Sequence, residues 1–129
     1  MNSEIEVGSY YSAYAVCTPE HGGTHIDAPV HFLRDGQSTD QLALESLMGP
    51  AIVIDVAGKA AADRNYSVSV ADVEALEKAH GAIAAGSVVL MRTNCSQRWF
   101  DASDYFGDDT PCDASNLTFS GFGADAARL

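Results

Sequence analysis

Two short apolar runs constrain this fold more than anything else in the chain: AIVIDVAG, Ala51 to Gly58, and SVVLMRT, Ser87 to Thr93. Both are rich in β-branched residues, and their length suits strands buried in a core. Between them lies SVSVADVEALEKAHG, where the apolar spacing becomes helical. Ser69 is the expected N-cap, with Asp72 three residues on. Val73, Leu76 and Ala79 fall on one face and Gly81 can supply the C-terminal turn, which predicts a helix of about nine residues. Strand, helix, strand predicts an α/β layer arrangement. The pattern leaves open whether the two strands are parallel neighbours.

The remaining segments are less regular. Residues 5–16 predict one or two extended segments, and STDQLALESLMGP a short helix or turn that Gly49-Pro50 stops. From Asn94 to Phe122 the chain reads as loop, with Gly107, Pro111, Gly121 and many aspartates. A structureless segment of that length carries function or covers something. GADAARL, at the end, predicts the start of a helix. The 129 residues are enough for one domain, 1–129, with a real core.

The charge narrows the partners. Eighteen acids against seven bases give a formal net charge of −11. Such a surface repels phosphate backbones and anionic lipid and attracts metal cations, so neither nucleic acid nor membrane is an expected partner. No apolar run reaches the roughly 18 residues that span a bilayer. MNSEIEVGSYYSAY lacks the basic region and apolar core of a secretory signal, and a cytoplasmic location is the expectation. Cys17, Cys95 and Cys112 share no metal-binding or redox spacing and read as free thiols in a reducing compartment.

Three of the four histidines crowd into HGGTHIDAPVHF, residues 21–32. On an ideal strand His21, His25, Asp27 and His31 would line one face, but His21 and His31 would then stand some 30 Å apart. A straight helix would turn Asp27 and His31 away from the first two. Convergence on one ion, about 2 Å from each ligand, needs an irregular path. Gly22-Gly23 permits a tight turn, and Pro29 favours the first turn of a helix starting near Asp27. Imidazole and carboxylate suit Zn²⁺ and Mn²⁺ alike. Three such ligands leave a position open for water, the arrangement of metal-assisted hydrolysis. His80, at a helix end, reads as a structural residue favouring the helix dipole. Asp108, Asp109 and Asp113 lack calcium-loop spacing and read as a solvated acidic loop.

HGGTHIDAPVHF resembles the HxGTHxDxPxH signature of the cyclase-like metal-dependent hydrolases, which include bacterial kynurenine formamidase and isatin hydrolase. GPAIVIDV, the SVVLMRT strand and RWFDASDYFGDDTPCDASNLTFSGF resemble further family segments in the same order, so the likeness runs from about Tyr11 onward. It implies a swivelling β/β/α fold, of which residues 1–129 form the N-terminal part. It also implies a homo-oligomer that hydrolyses an amide or cyclic amide, as in tryptophan catabolism, by metal-activated water attacking a carbonyl. By motif position His21, His25 and Asp27 match the metal ligands. His31 matches a histidine that binds a second metal in some members and assists proton transfer in others. The Arg98–Phe100 loop would lie near the substrate pocket. The chain departs from the family where a second-half His and Glu have no match, where Cys95 replaces a common tryptophan, and where Thr118 replaces a common histidine. The competing expectation is a non-catalytic fragment or interaction module that retains a partial metal site.

Overall fold

The computed structural model describes residues 2–5 and 9–129. The chain divides into two compact units, Met1–Ala43 and Leu44–Leu129.

In the first unit, β1 (Asn2–Ile5) and β2 (Ser9–Ser12) pair antiparallel, with Asn2 opposite Ser12 and Ile5 opposite Ser9. β2 falls within the extended stretch expected over residues 5–16, β1 reaches it only at Ile5, and residues 6–8 of that stretch lie outside the described residues. The histidine-rich stretch then runs as irregular backbone into a 3₁₀ turn, Pro29–His31, and a second such turn covers Thr39–Gln41. The helix expected from near Asp27 is thus a single tight turn that begins at Pro29. Proline stands at its first position, where a missing N–H costs nothing.

The second unit holds the core. β3 (Ala51–Asp55) and β5 (Val88–Arg92) pair in parallel, Ile52 beside Val89 and Ile54 beside Met91. Between them come α1 (Ala57–Ala62), β4 (Ser67–Val68) and α2 (Val70–His80). α3 (Ala102–Phe106) and β6 (Gly121–Phe122) follow, and β6 pairs in parallel with β4. Ile54, Val56, Val68 and Val73 form the buried cluster, with Leu76, Ile83, Val89 and Met91 packed against it. Removing one such side chain from water stabilises by about 1.5–3 kcal/mol. The opposite face of the β3–β5 pair is bare: Val53 and Leu90, register partners, are 47% and 48% exposed.

α2 starts where its sequence predicts. Ser69 accepts from the Asp72 backbone N–H, and the Asp72 carboxylate accepts from the Ser69 backbone N–H at 2.8 Å. The helix ends at Gly81, whose φ of 93° a side chain would resist. The same Asp72 carboxylate accepts from Tyr66 Oη at 2.7 Å and from Lys59 Nζ. Lys59 is in α1, so one buried acid fastens both helices. Burial pushes the Asp72 carboxyl up, but the hydrogen bonds from Lys59, Ser69 and Tyr66 outweigh it and hold it well below the usual carboxylate range.

Residues 94–122, expected as loop, contain a 3₁₀ turn (Cys95–Arg98), α3 and β6. Asp101 caps α3 by accepting from the Asp104 N–H at 2.8 Å, and Gly107 closes it with φ 84°. Arg64 pins the segment, donating to Thr118 Oγ1 at 2.9 Å and to the carbonyls of Asp104 and Tyr105. Asp108 and Asp113 accept from their own loop, from Asn116 and Thr110 and from Ser115. Those bonds hold both carboxyls below their ordinary value. GADAARL forms a 3₁₀ turn, Ala126–Arg128. No disulfide joins Cys17, Cys95 or Cys112. No helix among the described residues is long and apolar enough to cross a membrane.

Candidate metal centre

Irregular backbone folds His21, His25 and Asp27 onto one point. His21 Nδ1 lies 2.9 Å from Asp27 Oδ1 and 3.0 Å from His25 Nε2, and His25 Nε2 lies 3.3 Å from the same carboxylate oxygen. The three atoms form a nearly equilateral triangle. Donor atoms that share a zinc ion at about 2.0–2.2 Å stand about 3.0–3.5 Å from one another. The triangle therefore has the dimensions of one face of a coordination shell.

Hydrogen bonding fixes which nitrogen of His25 is available. Its Nδ1 is 2.8 Å from the Gly23 carbonyl oxygen, which only accepts, so Nδ1 carries the proton. With Nδ1 so engaged, Nε2 is the nitrogen that faces the Asp27 carboxylate and can offer a lone pair to a metal ion. Two acceptors at 3.3 Å repel unless a proton or a metal ion lies between them. A backbone carbonyl that sets the outer nitrogen of a histidine ligand is a regular support of metal sites. Gly23 makes the turn for it, at φ 69°.

His31 approaches from the 3₁₀ turn. Ligand atoms of His21, Asp27 and His31 all lie within 4.8 Å of one another, and the His21 and His31 rings are 4.3 Å apart. All four motif residues thus meet. They line a cleft of about 540 Å³, whose wall continues through Ile26, Val30 and Ser38–Asp40. His80 sits exposed in the last turn of α2.

Two supports escape the motif. The Pro29–Gly36 loop is closed by Leu33 N–H to Pro29 O at 2.9 Å, Gly36 N–H to Leu33 O at 2.8 Å and Val30 N–H to Gln37 O at 3.1 Å. Gly36 lies so close to the turn that a Cβ there would stand 2.7 Å from the Pro29 carbonyl carbon. The Ser38–Asp40 wall is held by a capping box between Ser38 and Gln41, with Ser38 Oγ donating to Asp40 at 2.5 Å. The Ser-x-x-Gln spacing carried that signal; the close approach of Gly36 left none.

Comparison with known proteins gives the chain a family. The Cyclase family model matches residues 3–129. Isatin hydrolase of Roseibium aggregatum is 35% identical over 107 residues, covering 79% of this chain and 40% of that protein. Cyclase-like protein 1 of Arabidopsis thaliana is 30% identical over 130 residues, 98% of this chain and 44% of its own length. Kynurenine formamidase of Salinibacter ruber is 45% identical over 58 residues, 45% of this chain and 27% of that protein. A crystal structure of an isatin hydrolase bound to the product analogue thioisatinate superposes with a TM-score of 0.69 at 31% identity, over 79% of this chain and 39% of that one. The chain spans less than half the length of each of these relatives. It has their mixed α/β fold, and it belongs to the Cyclase family.

Proposed function

We propose that the chain forms the metal-binding part of a hydrolase that cleaves an amide or cyclic amide bond in a small molecule. The observation that carries this is the triangle of His21 Nδ1, His25 Nε2 and Asp27 Oδ1, whose 2.9, 3.0 and 3.3 Å sides suit one face of a coordination shell. A bound Zn²⁺ or Mn²⁺ would supply Lewis acidity, lowering the pKa of a water and polarising a carbonyl oxygen. The chain's own residues do the rest. His21, His25 and Asp27 hold the ion, and the Gly23 carbonyl keeps His25 in the ligating tautomer. His31, at the edge of the group, takes a proton from the attacking water and returns it to the leaving nitrogen, or binds a second ion. Imidazole and carboxylate suit both metals. The relatives' names, isatin hydrolase and kynurenine formamidase, point to an aryl amide as substrate. A homo-oligomer is part of the reading, to be checked by sedimentation velocity.

The test is elemental analysis of the purified chain beside His25→Ala, followed by turnover of isatin and N-formylkynurenine with each metal. We expect one bound transition metal per site in the parent. In the variant, affinity should fall by more than the roughly 10–100-fold that loss of an outer support costs. Equal metal content in both proteins would sink the assignment. The open setting of the site, with the His21 and Asp27 side chains 42% and 44% exposed, supports a second reading, a non-catalytic module that keeps the metal site. Metal binding without turnover of either substrate supports that one, and turnover excludes it.

A further inference from the structure

We propose that residues 107–117 form a closed flap that swings as one body, with Arg64 as its latch. The chain leaves α3 at Gly107 and comes back at Thr118. The Thr118 backbone N–H donates to the Phe106 carbonyl at 2.9 Å, and its hydroxyl donates to the same oxygen at 3.3 Å. The two ends therefore touch, which is the form of an Ω-loop. Inside it the bonds are local. Asp108 spans both arms, accepting from the Thr110 N–H and hydroxyl on one and from Asn116 Nδ2 at 2.9 Å on the other. The Ser115 N–H donates to the Asp113 carboxylate, the Asp113 N–H to the Thr110 carbonyl and the Leu117 N–H to that of Ala114. Among the described residues, these hydrogen bonds of 108–117 all begin and end within the loop.

The loop is held to the rest of the second unit at its base, by one side chain. Arg64, in the turn between α1 and β4, donates from Nε to Thr118 Oγ1 at 2.9 Å. From Nη2 it donates to the carbonyls of Asp104 and, at 3.3 Å, Tyr105. A single guanidinium thus grips the outgoing and the returning arm. Its acceptors on the outgoing side are carbonyls at the end of α3, which lack helical partners and favour a cation. The base also has a pivot: Gly107 takes φ 84°, and a side chain there would collide with Thr118. The sequence GDDTPCDASNL offers little apolar surface to bury beyond Leu117. β6, past the base, has its own pairing with β4. A segment with its own internal bonds, a polar clamp and little apolar seam parts at the clamp first and keeps its shape. The inference is independent of the metal centre, since every residue in it belongs to the second unit.

The test is amide NMR on the full chain, reading hydrogen exchange at the base and ¹⁵N order parameters within the loop. We expect Arg64→Met to speed exchange of the Thr118 amide by at least about tenfold, the worth of hydrogen bonds to a charged group. Order parameters over 108–117 should stay at parent values, and amides of β3, β5 and α2 should exchange at the parent rate. Asp108→Ala should do the reverse: order falls over 108–117, while Thr118 exchange stays within about threefold of the parent. Unchanged Thr118 exchange in Arg64→Met overturns the proposal. So does a fall in loop order in that variant, which means unravelling instead of swinging. Faster exchange throughout the core overturns it too, by making Arg64 a general support of the fold. Should Arg64→Met fail to fold, Thr118→Val removes one hydroxyl from the same clamp. It must show the same pattern at roughly threefold, and its absence there overturns the latch.

Discussion

At the scale of single residues, the proposed metal chemistry would rest on four side chains and on the two glycines that support them. His21, His25, Asp27 and His31 could be named from spacing and residue type, because few other arrangements of a histidine-poor chain bring three imidazoles and a carboxylate together. Their support could not. The Gly23 carbonyl orients His25 through a contact two residues away, and Gly36 matters only because the loop doubles back onto Pro29. In Gly36→Ala the new methyl must displace the Pro29–His31 turn, at a cost of about 1–3 kcal/mol. We expect the variant to fold, to bind metal more weakly than the parent in isothermal titration, and to recover little of that loss on saturation with either ion. Unchanged affinity would show that the turn and the ligands are uncoupled.

At the scale of elements, legibility followed locality. α2 was visible because its start and stop signals lie within the helix: Ser69 and Asp72 at one end, Gly81 at the other. α1 was not, because AGKAAA is short and Gly58 reads as the end of the preceding strand; Lys59 holds it through a partner thirteen residues away. α3 carried its own caps, Asp101 and Gly107, but they were lost among the breakers around them. The parallel pairing of β3 with β5 is a non-local choice that neither strand encodes alone.

The Asp72 junction between α1 and α2 makes a prediction with a definite sign. Its carboxyl is depressed in the folded chain, so the stability it contributes is complete above its unfolded value near 3.9 and is lost as pH falls through the depressed folded value. Asp72→Asn should therefore unfold more easily than the parent at pH 7, by about 1.5–3 kcal/mol in urea denaturation. The gap should persist down to pH 4 and narrow below it. A gap that widened on acidification would assign the network another role.

At the scale of the whole molecule, the sequence told the class of fold and little of how its surfaces are used. Alternation along β3 and β5 does not say that one side of the pair stays open to water, because an apolar run looks the same whether one face or both are covered. Val53 and Leu90 sit side by side on that open face, and the Asp55–Arg92 ion pair, at 3.2 Å, closes one end of it. Two apolar side chains in register on an open strand pair favour association. At high protein concentration such a stripe is a point at which copies of the chain can associate. A single Val53→Lys exchange on that ribbon should raise the concentration at which light scattering begins, with the melting temperature almost unmoved. A change on the open ribbon of the second unit would thus act on how copies of the chain meet, while any chemistry at the histidine cleft is set by the first unit.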